Sequence, residues 1–237
     1  SDVYKRQELV LPLSFHGDGV PVLRVGRSAS QSLDVYSIHS IYASGSIVNI
    51  KMLMYWLFGE SEDAGTQQEI WRVLTWSFHF LSLGIWPTVD AHNKPWGADN
   101  LGAQALSGTD LAGGFKAVIY SVKGDLDHLA KGYKLKHYNS NSMCELCPAN
   151  RDKSSRRLLY CNFDRGAEWP KLQFSLPQWR AQYNDKFLHW LFKIAGVSHH
   201  SLEGDELHLV FLGTSQCFFG SVLTLLVYDV LTGDAEA

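Results

Sequence analysis

At 237 residues, with 46% hydrophobic and 19% charged side chains, the chain has enough apolar material for one sizeable core, alone or with an inserted subdomain, and it is not disordered. A formal charge of −3 excludes a whole-chain basic field, so contact with nucleic acid would have to rest on local clusters such as Arg151 to Arg157. Four cysteines, two in Cys144-Glu145-Leu146-Cys147 and the others at Cys161 and Cys217, are too few and too unevenly spaced for a secreted disulfide framework, which points to a reducing compartment.

The first seven residues, SDVYKRQ, have no apolar period and precede a sharp change of composition. They read as the translated end of a sequencing adapter, and with no initiator Met the chain is expected to be a fragment. Leu9 to Phe15 is a short apolar run suited to a strand, His16-Gly17-Asp18-Gly19 a turn signal, Val20 to Val25 a return strand and Leu33 to Tyr42 a third. Together these predict an antiparallel three-stranded meander.

From Ile47 the bulky apolar residues recur every three or four positions, in IVNIKMLMYWLF and again in QQEIWRVLTWSFHFLSLGIW, which predicts two amphipathic helices, the second ended by Pro87. Asp90 to Gly114 is polar and Gly-rich and reads as loop. Phe115 to Val122 reads as a buried strand with Gly124-Asp125 at its tip, and Leu126 to Tyr133 as the helix leaving it. The apolar tracts Ile70 to Trp86 and Cys217 to Leu231 are interrupted by Arg72, Ser77 and His79, or by Gly220, Ser221 and Thr224, so they read as core and not as membrane spans.

The chemistry-bearing pattern is two carboxylates, Asp18 and Asp125, each closing an apolar strand-like run, then the thiol pair Cys144 and Cys147, then Asp205-Glu206-Leu207-His208. Strand-end carboxylates side by side in a sheet can hold divalent cations for phosphodiester chemistry. The glycines Gly17, Gly19 and Gly124 beside them would let a phosphate backbone approach closely. Two thiolates three residues apart can hold one tetrahedral Zn²⁺, for which His208 is the leading third ligand and Asp205 a fourth, with Cys161, His137, His199, His200 and Cys217 as rivals.

Each feature has a plainer reading. An Asp flanked by Gly after a strand is often a turn former. The two thiols can be free cysteines in a loop; a thioredoxin-like pair is disfavoured because they follow a polar loop. Asp205 can be the N-cap of an ordinary helix. His16 and His128, close to the two acids, suit hydrogen-bonded scaffolding, and Trp169, Trp179 and Trp190, like the basic run, suit packing and solvation as well as DNA contact.

The run HGDG, then KGDLDHLAKGYKLKHYNSNSMCELC, then DELHLVFLG resembles the catalytic-domain signature of eukaryotic cut-and-paste transposases of the CACTA and Kyakuja-Dileera-Zisupton type, and also uncharacterised, transposon-derived protist reading frames. The resemblance implies an α/β, ribonuclease-H-like fold with a mixed sheet, its first and fourth strands adjacent. It places a partial core over 8–133 and a zinc-stapled, mainly helical insertion over 134–237. It implies Asp18 and Asp125 as the first two catalytic carboxylates, holding Mg²⁺ or Mn²⁺, and Cys144, Cys147, Asp205 and His208 as holders of structural Zn²⁺. A third acid has no match: Glu203 and Glu206 flank the Asp-x-x-His motif and Glu236 lies in the tail, so it is expected beyond residue 237. The implied activity is DNA cleavage and strand transfer at transposon ends by a nuclear homo-oligomer with no membrane association; the rival expectation is an inactive, transposase-derived module binding nucleic acid or protein.

Overall fold

The computed structural model describes residues 9–25, 29–58, 63, 65–183, 188–204 and 215–227. The predicted adapter segment and the Asp205 to His208 motif lie outside the described residues.

A five-stranded mixed sheet organises the chain. Strands β1 (Val10–Val25) and β2 (Ala29–Ser40) pair antiparallel, β3 (Met52–Phe58) is antiparallel to β2, β4 (Lys116–Gly124) runs parallel to β1, and β5 (Leu202–Gly204) runs parallel to β4. The spatial order is β3-β2-β1-β4-β5. The helices are α1 (Ile47–Ile50), α2 (Thr66–Leu83), α3 (Leu101–Leu106), α4 (Leu126–Lys131), α5 (Leu176–Arg180) and α6 (Ser215–Leu225). No helix among the described residues is long and apolar enough to cross a membrane.

The meander exists, but from different pieces than predicted. No turn interrupts HGDG: β1 continues through it, with Gly17 opposite Tyr36 and Asp18 opposite Val35. Glycine serves close approach here, since a Cβ on Gly17 would collide with His128 Nε2, the Tyr133 hydroxyl and the Tyr36 ring. Likewise the first predicted helix is only the single turn α1, and MLMYWLF is strand β3. Short apolar runs carry no reliable period, and pairing with β2 decides the outcome: Tyr55 lies opposite Tyr36, ring stacked on ring at 4.4 Å.

Helix α2 follows its apolar pattern but ends at Leu83, short of Pro87, which the sequence names as its end. Trp71, Leu74 and Phe78 share one buried face, and Gly84 at φ 72° ends the helix in the left-handed conformation, its N–H reaching the Phe80 and Leu81 carbonyls. Phe15 of β1 packs against Trp71 and Phe78 with ring centres 5.6 and 6.2 Å apart. Strand β4 joins β1 across a one-residue irregularity, beside which buried Ser121 donates to Ser14 Oγ at 2.9 Å.

The segment beyond Lys134 corrects the expected mainly helical insertion. Between 134 and 204 the described residues form turns, the five-residue α5, three short 3₁₀ turns, Trp169–Lys171, Trp190–Lys193 and His199–Ser201, and the edge strand β5. The boundary at Lys134 marks this change in local structure and no break in the core: Trp179, Leu191, Phe192, Ile194 and Val197 are buried in the same cluster as Phe15, Tyr36 and Trp71.

Candidate functional site

Strand β1 carries Asp18 in its interior, half-buried, and β4 delivers Asp125 at its tip. The last paired residues of these parallel strands are His16 and Lys123, so two further steps along each chain reach Asp18 and Asp125. Their backbones stay close beyond the last pair: a Cβ on Gly124 would lie 3.2 Å from the Gly17 carbonyl oxygen. The two acids, 107 residues apart in the chain, thus each follow the last β1/β4 pair by two residues, Asp18 within β1 and Asp125 just past the end of β4.

Asp125 also has a local task. Its φ of −68° and ψ of 166° make it the N-cap of α4, and its Oδ1 accepts the His128 backbone N–H at 2.5 Å. The cap satisfies one of the donors that every helix start leaves free and leaves Oδ2 for another partner. Asp127 in the first turn complements the helix dipole and binds Lys131 at 2.8 Å.

A third carboxylate, Asp34, which the sequence did not single out, stands on β2 on the sheet face that carries His128, the opposite face from Asp18. It lies opposite Gly19, and a Cβ there would be 3.6 Å from Asp34 Oδ1. The fields of Asp34, Asp125, Asp18 and Asp127 all reach the His128 imidazole. Burial dominates, however, and holds the pKa of His128 below its ordinary value despite them. The ring is 8% exposed, 5.3 Å from that of Tyr36 and edge-on to Tyr133 at 5.1 Å. Among the described residues neither His128 Nε2 nor the Tyr133 hydroxyl has a hydrogen-bond partner. Burial, reinforced by Tyr36 and Asp34, pushes the Tyr133 phenol far up, so it stays protonated. His128 thus packs against the glycine of β1 with burial favouring its neutral form, but among the described residues its Nε2 lacks the hydrogen bond that the plainer expectation called for.

The thiols Cys144 and Cys147 lie side by side, Sγ to Sγ 3.2 Å. Burial and the neighbouring Cys144 push the Cys147 thiol up to about 11. The residue between them that sequence reasoning passed over is the better anchored. Glu145 accepts Trp179 Nε1 at 2.7 Å, the Tyr183 hydroxyl at 2.6 Å and the Lys136 backbone N–H at 2.8 Å, which staples this loop to α5. Of the rival zinc ligands, His199 is buried under Trp179, stacked at 5.2 Å, and bonds the Phe174 carbonyl through Nε2. His137 Nδ1 accepts the Asn139 N–H, Cys161 and His200 are exposed, and the Cys217 side chain lies outside the described residues. No group of three or more His, Cys, Asp or Glu placed to hold a metal ion occurs among the described residues.

Trp179 is fully buried and therefore no stacking platform, while Trp169 donates its indole N–H to the Asn162 carbonyl. In the basic run, Arg157 pairs with Glu168 at 2.9 Å and Arg156 reaches Asp164 at 3.8 Å, so part of its charge is already balanced. The chain matches no protein-family model and no curated protein.

Proposed function

We propose that this chain is a ribonuclease-H-like domain of transposase type, in which Asp18 and Asp125 hold a divalent cation for DNA cleavage and strand transfer. The observation that carries the reading is the sheet: three antiparallel strands, then a fourth parallel to the first, with an acid on each of the two neighbours two residues past their last pair. The donor set suits Mg²⁺ or Mn²⁺, since Asp125 keeps Oδ2 outside its cap bond and both groups are hard oxygen donors. A cation there would supply charge stabilisation at the reacting phosphate. The chain's own contribution is to bring the two carboxylates to adjacent strands, whose backbones stay close between Gly17 and Gly124.

The same reading gives Cys144 and Cys147 to a structural Zn²⁺, with Asp205 and His208 completing its ligands. The adjacent sulfurs fit that role, and metal binding would drive off the protons that burial now retains. DNA is the partner, a homo-oligomer the working form and the nucleus the compartment. A test is nicking and joining of DNA ends by the purified chain with Mn²⁺: activity lost in Asp18→Asn and in Asp125→Asn supports the reading, and activity unchanged in both refutes it.

A second reading, a transposase-derived domain that binds nucleic acid or protein without catalysis, is favoured by one observation. Asp125 already serves α4 as a cap, and the described residues bring no third acid within metal-holding reach. DNA binding without any metal-dependent cleavage would select it.

A further inference from the structure

A cleft of about 520 Å³ opens on the flank of α2, walled by the loop after Gly84 and by the turn Trp190–Lys193. It falls within the size range of small-molecule sites, roughly 300 to 1,000 Å³. Its aromatic lining comes from the half-buried Trp76 and Trp190, with Phe80 buried behind them, and its polar lining includes Arg72, Asn93 and Lys193. No Asp or Glu lines it among the described residues. None of the carboxylates around His128 contributes to it.

The wall is built before any ligand arrives. Trp76 Nε1 donates to the Val89 carbonyl at 2.9 Å, fastening the loop to α2. Asp90 Oδ1 accepts the backbone N–H groups of His92 and Lys94, each at 2.8 Å, which closes a tight turn. Within that turn Asn93 adopts φ 59°, the left-handed conformation that costs a side-chain-bearing residue free energy and is common where function requires it. The Arg72 guanidinium is oriented by Glu69 and by His92 Nδ1, which accepts from it. Because Glu69 balances Arg72, the net charge at the cleft comes from Lys193, whose ammonium stands over the Trp190 ring 3.7 Å from its centre.

We propose that this cleft binds one nucleoside phosphate unit, the base among the aromatic side chains and the phosphate at Lys193. Flat aromatic walls suit any base, since every base offers a π face. The Asn93 amide both donates and accepts, as the edge of a base does and a plain aryl ring does not. The Lys193 ammonium suits the phosphate. The unit can come from a free mononucleotide or from an unpaired position in a DNA strand. The inference does not depend on metal at Asp18 and Asp125.

Isothermal titration with thymidine 5′-monophosphate, a short oligothymidylate, thymidine and inorganic phosphate tests it. The expected result is saturable binding of the monophosphate, the oligonucleotide or both, each tighter than thymidine or phosphate, and weakened about tenfold or more in Lys193→Glu. Asn93→Gly, which keeps the turn and relieves its left-handed strain, is expected to weaken binding without lowering the thermal unfolding temperature. Binding confined to the oligonucleotide assigns the site to a DNA strand, and binding of both assigns it to nucleotides generally. The monophosphate is expected to bind as tightly with a chelator present, so failure of the metal reading would leave this result intact. No binding by either nucleotide probe, phosphate binding as tightly as the monophosphate, or affinity unchanged in both cleft variants would overturn the proposal.

Discussion

Asp125 Oδ1 accepts the His128 N–H at 2.5 Å, so the acid proposed above to hold a cation is also the residue that caps α4. The two roles separate by substitution. Asn caps helices as well as Asp does, whereas Ala removes the acceptor at a cost of about 1 kcal/mol. Asp125→Asn is therefore expected to unfold in urea within about 0.5 kcal/mol of the parent and Asp125→Ala about 1 kcal/mol below it. Equal losses in the two variants would mean that charge, and not capping, is what Asp125 contributes to stability.

Gly17 is where β1 passes beneath His128, Tyr133 and Tyr36. A methyl group there must displace buried rings, an overpacking cost of about 2 kcal/mol. Tyr133→Phe removes a buried hydroxyl that has no partner among the described residues, and is expected to raise stability by about 1 kcal/mol. It also removes one of the atoms that the methyl group would strike, so the double variant should lose less than the sum of the single changes. Additive losses in a double-mutant cycle of denaturant midpoints would contradict this packing.

Glu145 collects donors from Trp179, Tyr183 and Lys136. Glu145→Ala leaves them unmet and is expected to cost about 2 to 3 kcal/mol. In metal-free protein the loss should exceed that of Cys144→Ser, because the carboxylate and not the thiol pair holds this loop to α5. Thermal unfolding of the two variants with a chelator present compares them directly.

Acid should weaken the fold through buried imidazoles. Burial, followed by the charges of Lys134, His128 and Lys193, pushes His189 down to about 3, and burial lowers His199 as well. Between the ordinary histidine value and these depressed ones the unfolded chain binds more protons than the native one, so stability is present at neutral pH and is lost as pH falls. The slope approaches about 1.4 kcal/mol per pH unit for each such group. His189→Asn, which keeps an acceptor for the Leu191 N–H that His189 Nδ1 now takes, should flatten the dependence below pH 6. An unchanged slope in urea unfolding across that range would show that His189 is protonated in the native state.

The order of α2, β4 and α4 was legible because their periods are long or their termini marked: Trp71, Leu74 and Phe78 at helical spacing, and Gly124-Asp125 at a strand tip. HGDG misled because glycine signals a turn and a close approach equally well, and only the three side chains pressing on Gly17 distinguish them. MLMYWLF became a strand through its partner Tyr36, which lies outside any local window. Asp34 sat unnoticed in an alternating strand, since what matters is its place opposite Gly19. Glu145 was hidden between the two thiols that drew attention, and its donors come from residues 9 to 38 positions away.

The central claim is that two neighbouring strands present Asp18 and Asp125 to one cation. Isothermal titration of Mn²⁺ into the purified chain, the Asp18→Asn variant and the Asp125→Asn variant measures it most directly. Saturable binding by the parent and its loss in each variant, with folding retained, is the expected result. Binding by the parent that persists in both variants, or no binding at all, would contradict it.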